Sequence, residues 1–123
     1  MRLKNCYRTR DFRELAKQRL PSPLFHYIDG GSDDEITLAR NTSAFDSVDL
    51  VPNVLAGVDD IDLSVNVLGS KLDLPLFFSP TAMQRLFHHD GEFAIADVAE
   101  QYGTMFGVST IGTRSIEELG ARN

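Results

Sequence analysis

The sequence has little cysteine and no long apolar run. Its single cysteine, Cys6, excludes an internal disulfide framework and any metal site built on several cysteines, and it fits a reducing compartment. Its apolar runs are far shorter than the roughly 20 residues that a transmembrane helix needs. The basic amino terminus is followed by no apolar core, so we expect no secretory signal peptide. We therefore expect a cytoplasmic protein, with peripheral attachment to the inner membrane as the remaining option.

An excess of positive charge is also missing. The twelve Lys and Arg residues are scattered along a chain of net charge −6, which excludes the basic footprint of a nucleic-acid-binding protein. Neither a Walker loop nor a Gly-x-Gly-x-x-Gly motif is present. The segment 29–35 (DGGSDDE) lacks the alternating ligands of a calcium loop, and 88–90 (HHD) has no third well-spaced ligand. We therefore expect no metal site.

What is present is a chain of 123 residues with 42% apolar and 24% charged residues, which is typical of one soluble globular domain. Apolar spacing and helix-end signals predict that the first third is helical. Asp11 is placed to cap the first of these helices, with Glu14 three residues later. Ser32 and Glu35 have the spacing of a capping box at the start of the third helix. The predicted helices are Asp11–Leu20, Pro23–Ile28 and Ser32–Phe45.

The middle and the end of the chain have sequence patterns that differ from those of the helical first third. After an irregular stretch, the alternation in 63–74 predicts a hairpin whose turn is Gly69-Ser70. Two apolar runs then predict strands at 74–78 and 104–109, separated by a helix at 91–102. A second capping box, Ser115 with Glu118, predicts a further helix. This order of β-α-β-α indicates an α/β protein that begins a parallel sheet.

The first of these strands ends in small or polar residues, Ser79 to Ala82, which expose backbone and little side-chain bulk. Ligands of parallel α/β folds lie outside the carboxyl ends of the strands, so this segment is either a wall for a flat ligand or an ordinary strand-to-helix loop. Two parallel strands also leave apolar faces and edges bare. We expect the chain to be part of a longer polypeptide; assembly with another chain is the alternative.

Three segments in this order resemble the FMN-dependent α-hydroxy acid oxidases and dehydrogenases, a family that includes glycolate oxidase, lactate oxidase, lactate dehydrogenase and mandelate dehydrogenase. They are RLPSPLFHYIDGGSDDEITLARN (19–41), LPLFFSPTAMQ (74–84) and GTMFGVSTIGTRSIEEL (103–119). The resemblance implies the amino-terminal part of a TIM (β/α)8 barrel. Residues 1–75 would be its helical segment and barrel-bottom hairpin, and residues 76–123 would be its first two βα units.

The resemblance also implies site residues. Pro80, Thr81 and Ala82 correspond to a loop whose backbone runs along the FMN ring, and Ser109 to a serine that hydrogen-bonds the flavin. Tyr27 corresponds to a tyrosine that binds the substrate carboxylate, as a phenol can by donating one hydrogen bond. From the residues alone, Tyr27 would instead be a core aromatic on an amphipathic helix, and Ser109 a loop serine or a helix cap.

The function implied by the resemblance is oxidation of an L-2-hydroxy acid, lactate-like or glycolate-like, to a 2-oxo acid by hydride transfer to flavin N5. Oxygen or a respiratory-chain acceptor would take the electrons, and the family is often tetrameric. The family's histidine base and arginines lie in later strands, so we expect no catalytic residue in these 123 residues and no activity of the chain alone. The alternatives are a non-catalytic module that pairs with a partner chain, and another FMN-binding TIM barrel such as an isomerase.

Overall fold

The computed structural model describes residues 2–57 and 59–122. The α-helices are α1 (Thr9–Arg19), α2 (Ser22–Asp29), α3 (Ile36–Ser43), α4 (Glu92–Gln101) and α5 (Ile116–Gly120), and the strands are β1 (Val65–Val67) and β2 (Ser70–Leu72). Short 3-10 turns occupy Leu3–Asn5, Ala44–Ser47 and Gln84–Leu86. Two compact units, Met1–Ala56 and Gly57–Asn123, divide the chain. The hairpin belongs to the second unit, and the division of the chain after residue 75 remains a prediction.

The first two predicted helices are confirmed as α1 and α2, with α1 beginning two residues earlier than predicted. Asp11 is therefore inside the helix, and the prediction that it is the N-cap is wrong. Its carboxylate instead accepts hydrogen bonds from the backbone N–H groups of Tyr7 and Arg8, at 3.0 and 3.1 Å. These bonds satisfy N–H groups at the helix entry, where no intrahelical acceptor is available. The guanidinium of Arg13 pairs with Asp29, which joins α1 to the end of α2.

The predicted capping box at the start of the third helix is wrong. Glu35 has a left-handed backbone (φ 57°), and its N–H donates to the carbonyl of Ser32 at 2.9 Å, which closes a turn. Its carboxylate accepts from the N–H of Gly31 at 3.0 Å, upstream of where a capping box would place it. The helix α3 consequently begins only at Ile36 and continues into the 3-10 turn at Ala44–Ser47.

The predicted hairpin is confirmed, but its turn is displaced by one residue. Val67 pairs with Ser70 in the antiparallel register, so the turn residues are Leu68 and Gly69 rather than Gly69 and Ser70. Both turn residues have positive φ, 51° for Leu68 and 85° for Gly69. A two-residue turn with positive φ at both positions has the twist that matches paired strands, which explains this register.

The two predicted parallel strands are shorter in the structure than in the prediction. Their pairing is parallel, as predicted, but consists of one bridge between Phe78 and Phe106. The N–H of Phe78 donates to Met105 O, and the N–H of Gly107 donates to Phe78 O, both at 2.9 Å. Among the described residues, no third strand pairs with either segment. The helix α4 connects the two segments, as the βαβ pattern predicted.

Replacing Gly103 with Ala tests the close approach at the end of α4. Gly103 has φ +57°, and a Cβ there would lie 2.7 Å from Asp73 Cγ. Gly69 also has positive φ, but nothing lies within 4 Å of its Cβ position, so Gly69→Ala is the matched control for backbone strain alone. We expect Gly103→Ala to lower the free energy of unfolding by about 1 kcal/mol more than Gly69→Ala, in urea denaturation of both variants. Equal losses would mean that Asp73 moves aside without cost.

Candidate functional site

The first loop follows Phe78 and presents backbone rather than side chains. Pro80 and Thr81 are exposed and Ala82 is half-buried. Within the described residues, no group accepts a hydrogen bond from the N–H of Thr81 or of Ala82. The carbonyl of Thr81 does have a partner, the side-chain amide of Gln84 at 3.3 Å. The loop thus offers two backbone donors beside small side chains, as a wall for a flat polar ligand requires.

The second loop follows the Phe106 segment and is folded tightly on Ser109. The Ser109 Oγ accepts from the N–H of Ile111 at 3.2 Å, and the Ser109 carbonyl accepts from the N–H of Gly112 at 3.0 Å. Such a side-chain turn uses the serine oxygen only as an acceptor. The hydroxyl proton of the half-buried Ser109 therefore remains able to donate to a ligand.

The two loops are joined directly. The N–H of Met83 donates to the carbonyl of Ile111 at 3.1 Å. Behind them, Gly107 allows the chains to approach, since a Cβ at that position would lie 3.1 Å from Pro80 Cδ and 3.4 Å from the Phe78 carbonyl. The structure therefore brings the loop that contains Pro80, Thr81 and Ala82 against the loop that begins at Ser109. The roles of these four residues remain predictions.

Tyr27 lies on α2 in the first compact unit. Its side chain is 59% exposed, whereas Phe25 on the same helix is 5% exposed and fills the local core. The interpretation of Tyr27 as a core aromatic therefore does not apply in the described part of the chain. Its phenol is available to an anionic ligand, and the substrate-binding role remains a prediction.

Glu92, which the sequence analysis did not single out, is the most deeply buried charged residue that the structure describes, with 1% exposure. Its carboxylate accepts from the backbone N–H of Thr113 at 2.7 Å and from the Thr113 hydroxyl at 2.5 Å. A signal for this burial exists in the sequence, because Glu92 shares the i, i+4, i+7 stripe of α4 with the buried Ala96 and Ala99. The first residue of α4 is therefore bonded to the second loop.

The surroundings of Glu92 favour its ionised form. Burial alone would raise the pKa of this carboxyl, but hydrogen bonds from the side chain and the backbone of Thr113 outweigh it, so the pKa lies below its usual value. The backbone N–H groups of Glu92 itself and of Gln84 act in the same direction. At neutral pH the group is consequently a carboxylate that acts only as an acceptor.

His88, His89 and Asp90 are the one group of described residues whose possible metal-ligand atoms all lie within 4.8 Å of one another. All three side chains are exposed, and His89 Nε2 lies 3.4 Å from Asp90 Oδ1. The absence of a metal site remains a prediction. Among the described helices, none is both long and apolar enough to cross a membrane.

Comparison with known proteins decides the family. The family model described as FMN-dependent dehydrogenase matches residues 16–123. The chain belongs to the FMN-dependent dehydrogenase family. Among this family's curated members, glycolate oxidase 1 of Oryza sativa subsp. indica is 39% identical over 111 residues, and glycolate oxidase of Spinacia oleracea is 37% identical. Each alignment covers 90% of this chain and 30% of the relative.

A solved structure agrees with this family assignment. The soluble mutant of the membrane-associated (S)-mandelate dehydrogenase from Pseudomonas putida superimposes with a TM-score of 0.88 at 32% identity, over 96% of this chain and 34% of that one. The chain thus spans about a third of the length of these relatives. The predicted family and its α/β fold are confirmed, and the described residues form a helix-rich piece rather than a complete barrel.

The family uses FMN, and the two loops fit this group. Flavin is a planar ring system whose polar edge accepts hydrogen bonds. This edge suits the N–H groups of Thr81 and Ala82, which have no acceptor among the described residues. The small side chain of Ala82 lets a ring approach the backbone, and the Ser109 hydroxyl adds a further donor. The prediction of FMN as cofactor is therefore supported both by the family and by the chemistry of these residues.

Proposed function

We propose that the protein provides the amino-terminal part of an FMN-dependent TIM-barrel enzyme that oxidises an L-2-hydroxy acid, lactate-like or glycolate-like, to a 2-oxo acid. The observation that carries the proposal is the direct hydrogen bond between the two loops that follow the parallel segments. One loop holds backbone donors that have no acceptor among the described residues, and the other holds Ser109. The names of the relatives, glycolate oxidase and (S)-mandelate dehydrogenase, support this substrate class.

Each site residue has a limited task in this proposal. The N–H groups of Thr81 and Ala82 donate to the polar edge of the ring, and the ring of Pro80 fixes the φ angle of the residue before them. The Ser109 hydroxyl donates from the neighbouring loop. When bound, FMN supplies the acceptor for the α-hydrogen of the hydroxy acid at its N5 atom. The protein residues named here bind and orient, and none of them removes a proton.

Tyr27 is proposed to bind the substrate carboxylate. Its phenol can donate one hydrogen bond to an anion, and its exposed side chain leaves the hydroxyl accessible. A hydrogen bond to a charged group is among the stronger polar contacts in proteins, so one phenol can contribute measurably to substrate affinity. An FMN-binding isomerase barrel would not be expected to carry this tyrosine segment.

The described part also shows apolar surface that further protein should cover. Leu76 and Phe77, which precede the Phe78 bridge, are 61% and 53% exposed. Burying such side chains is worth about 1.5–3 kcal/mol each, and we propose that the remaining strands of the barrel cover them. The histidine base and the arginines of the family would lie in those strands. The chain alone would then be inactive. We further propose that the complete enzyme is cytoplasmic and homotetrameric, and that oxygen or a respiratory-chain acceptor takes its electrons.

Product analysis tests this function. The protein is produced from its complete reading frame and, separately, as the 123-residue chain, and each is incubated with L-lactate, glycolate or (S)-mandelate and an artificial electron acceptor. We expect 2-oxo acid from at least one substrate with the former and none with the latter. A complete protein that forms no 2-oxo acid but binds a partner chain would support the non-catalytic alternative.

A further inference from the structure

Glu92 and Thr113 are 21 residues apart, and two hydrogen bonds join them side by side. One carboxylate oxygen of Glu92 takes the Thr113 N–H and the other takes the Thr113 hydroxyl, at 2.7 and 2.5 Å. Two bonds from one residue to two oxygens fix orientation as well as distance, which a single hydrogen bond does not. The position and the direction of the second loop at Thr113 are thus tied to the first turn of α4.

Gly112 packs closely between the Glu92–Thr113 pair and Ser109. A Cβ added at Gly112 would lie 3.5 Å from Glu92 Oε1 and 3.1 Å from the Ser109 carbonyl. The loop is therefore folded closely between its tie to Glu92 at one end and Ser109 at the other. A shift at Thr113 would be transmitted to Ser109 through the Gly112 N–H, which donates to the Ser109 carbonyl.

The first loop depends on the same arrangement. The Ile111 carbonyl, two residues before Thr113, is the acceptor for the Met83 N–H at 3.1 Å. The next residue, Gln84, holds the Thr81 carbonyl through its side-chain amide. Hydrogen bonds therefore tie Glu92 to Thr113 and Ile111 to Met83, and the main chain from Ile111 through Gly112 to Thr113 joins the two ties.

We propose that Glu92 is a positioning residue: through Thr113 it holds the Ser109 loop and the Pro80–Ala82 loop in the one arrangement that receives the flavin edge. This inference rests on the proposed function. Glu92 itself does not touch the flavin, because its buried carboxylate is occupied by Thr113. Its contribution is preorganisation, which lowers the cost of ordering two loops when the cofactor binds.

The test uses the protein from its complete reading frame, with and without FMN. Thr113→Val removes one hydroxyl at nearly constant volume, Thr113→Ser retains it, and Glu92→Gln removes the charge. Glu100→Gln, at an exposed position of the same helix, is the control for loss of a carboxylate. Three quantities are measured: hydrogen exchange of the Met83 amide in the flavin-free protein, the dissociation constant for FMN, and the urea midpoint of unfolding.

We expect Thr113→Val and Glu92→Gln each to speed Met83 exchange and to raise the FMN dissociation constant by about tenfold, the usual result of losing a hydrogen bond to a charged group. Thr113→Ser and Glu100→Gln should keep the Met83 exchange rate and the FMN dissociation constant within about twofold of the parent values. Serine retains the hydroxyl bond to Glu92, and the Glu100 side chain makes no hydrogen bond among the described residues. Thr113→Val combined with Glu92→Gln should be worse than either alone by less than the sum of the two effects, because both substitutions weaken the same Glu92–Thr113 contact.

Each outcome decides the inference. Unchanged Met83 exchange in Thr113→Val would overturn the coupling between the loops. Faster exchange with unchanged FMN affinity would overturn the positioning role. A loss of FMN affinity that follows the fall in the urea midpoint, and that Thr113→Ser also shows, would mean that Glu92 only stabilises the fold. A parent protein that binds no FMN would refute the proposed function, whereas the exchange measurement would still decide whether Glu92 couples the loops.

Discussion

Replacing Tyr27 with Phe is expected to raise the Michaelis constant for the hydroxy acid by about 10- to 100-fold, since in the role proposed for Tyr27 the substrate carboxylate would lose a hydrogen bond to its charged group. The bound flavin and the fold should be unaffected, because the Tyr27 hydroxyl has no partner within the described residues and its side chain is exposed. Steady-state kinetics on the protein from its complete reading frame, with the best of the three hydroxy acids, measure this change.

Tyr7→Phe is the matched control for Tyr27→Phe. Tyr7 lies in the same compact unit and is more exposed than Tyr27, and it donates a hydrogen bond to Asp11 from its backbone N–H rather than from its hydroxyl. The Tyr7 variant should therefore keep the parent's Michaelis constant. Equal constants for the Tyr7 and Tyr27 variants would remove Tyr27 from the substrate site.

Replacing Ala82 with Leu is expected to weaken FMN binding by about 10- to 100-fold, because added side-chain bulk keeps a planar ring away from the backbone and overpacking of this kind costs about 1–3 kcal/mol. Flavin fluorescence during titration of the flavin-free protein measures the dissociation constant. The effect should fall on the cofactor rather than on stability, since Ala82 is only half-buried.

Ala44→Leu supplies the control for Ala82→Leu. Ala44 is exposed where α3 passes into its 3-10 turn, in the other compact unit. This variant should bind FMN as the parent does and unfold at a similar urea concentration. If Ala82→Leu also bound FMN with the parent's affinity, the loop after Phe78 could not be the wall of the flavin site.

Elements with local signals could be predicted from the sequence. The pair Ser115 and Glu118 forms the predicted capping box at α5, with bonds of 2.8 and 3.1 Å, because both partners lie within one turn. The pair Ser32 and Glu35 has the same spacing and fails. The Gly31 N–H captures the Glu35 carboxylate there, and spacing alone does not distinguish these two uses of one side chain.

The parallel segments show a different limit of sequence analysis. An apolar run such as 74–78 indicates a strand that can be buried on both faces. The length over which it pairs depends on the neighbouring strands, which the run itself does not specify. Among the described residues the pairing is one bridge, Phe78 to Phe106, in the predicted parallel sense. The direction of pairing follows from the intervening helix, whereas its extent depends on the rest of a sheet.

In the candidate site, too, local features could be predicted from the sequence and long-range contacts could not. The exposed backbone of the Pro80–Ala82 loop could be predicted, because small residues directly after an apolar run are a local signal. The bonds between Glu92 and Thr113 could not be predicted, because they join positions 21 residues apart and no local pattern pairs them. A charged residue on the buried stripe of a helix, at the spacing of Ala96 and Ala99, is the feature that indicates such a long-range partner.

The most direct test of this account is an anaerobic absorbance measurement on the protein from its complete reading frame. The visible flavin band is recorded before and after addition of L-lactate, glycolate or (S)-mandelate. The account predicts bound flavin whose absorbance is bleached by at least one of these hydroxy acids, because the substrate reduces the cofactor. A folded protein that carries no flavin, or whose flavin none of them bleaches, would contradict it.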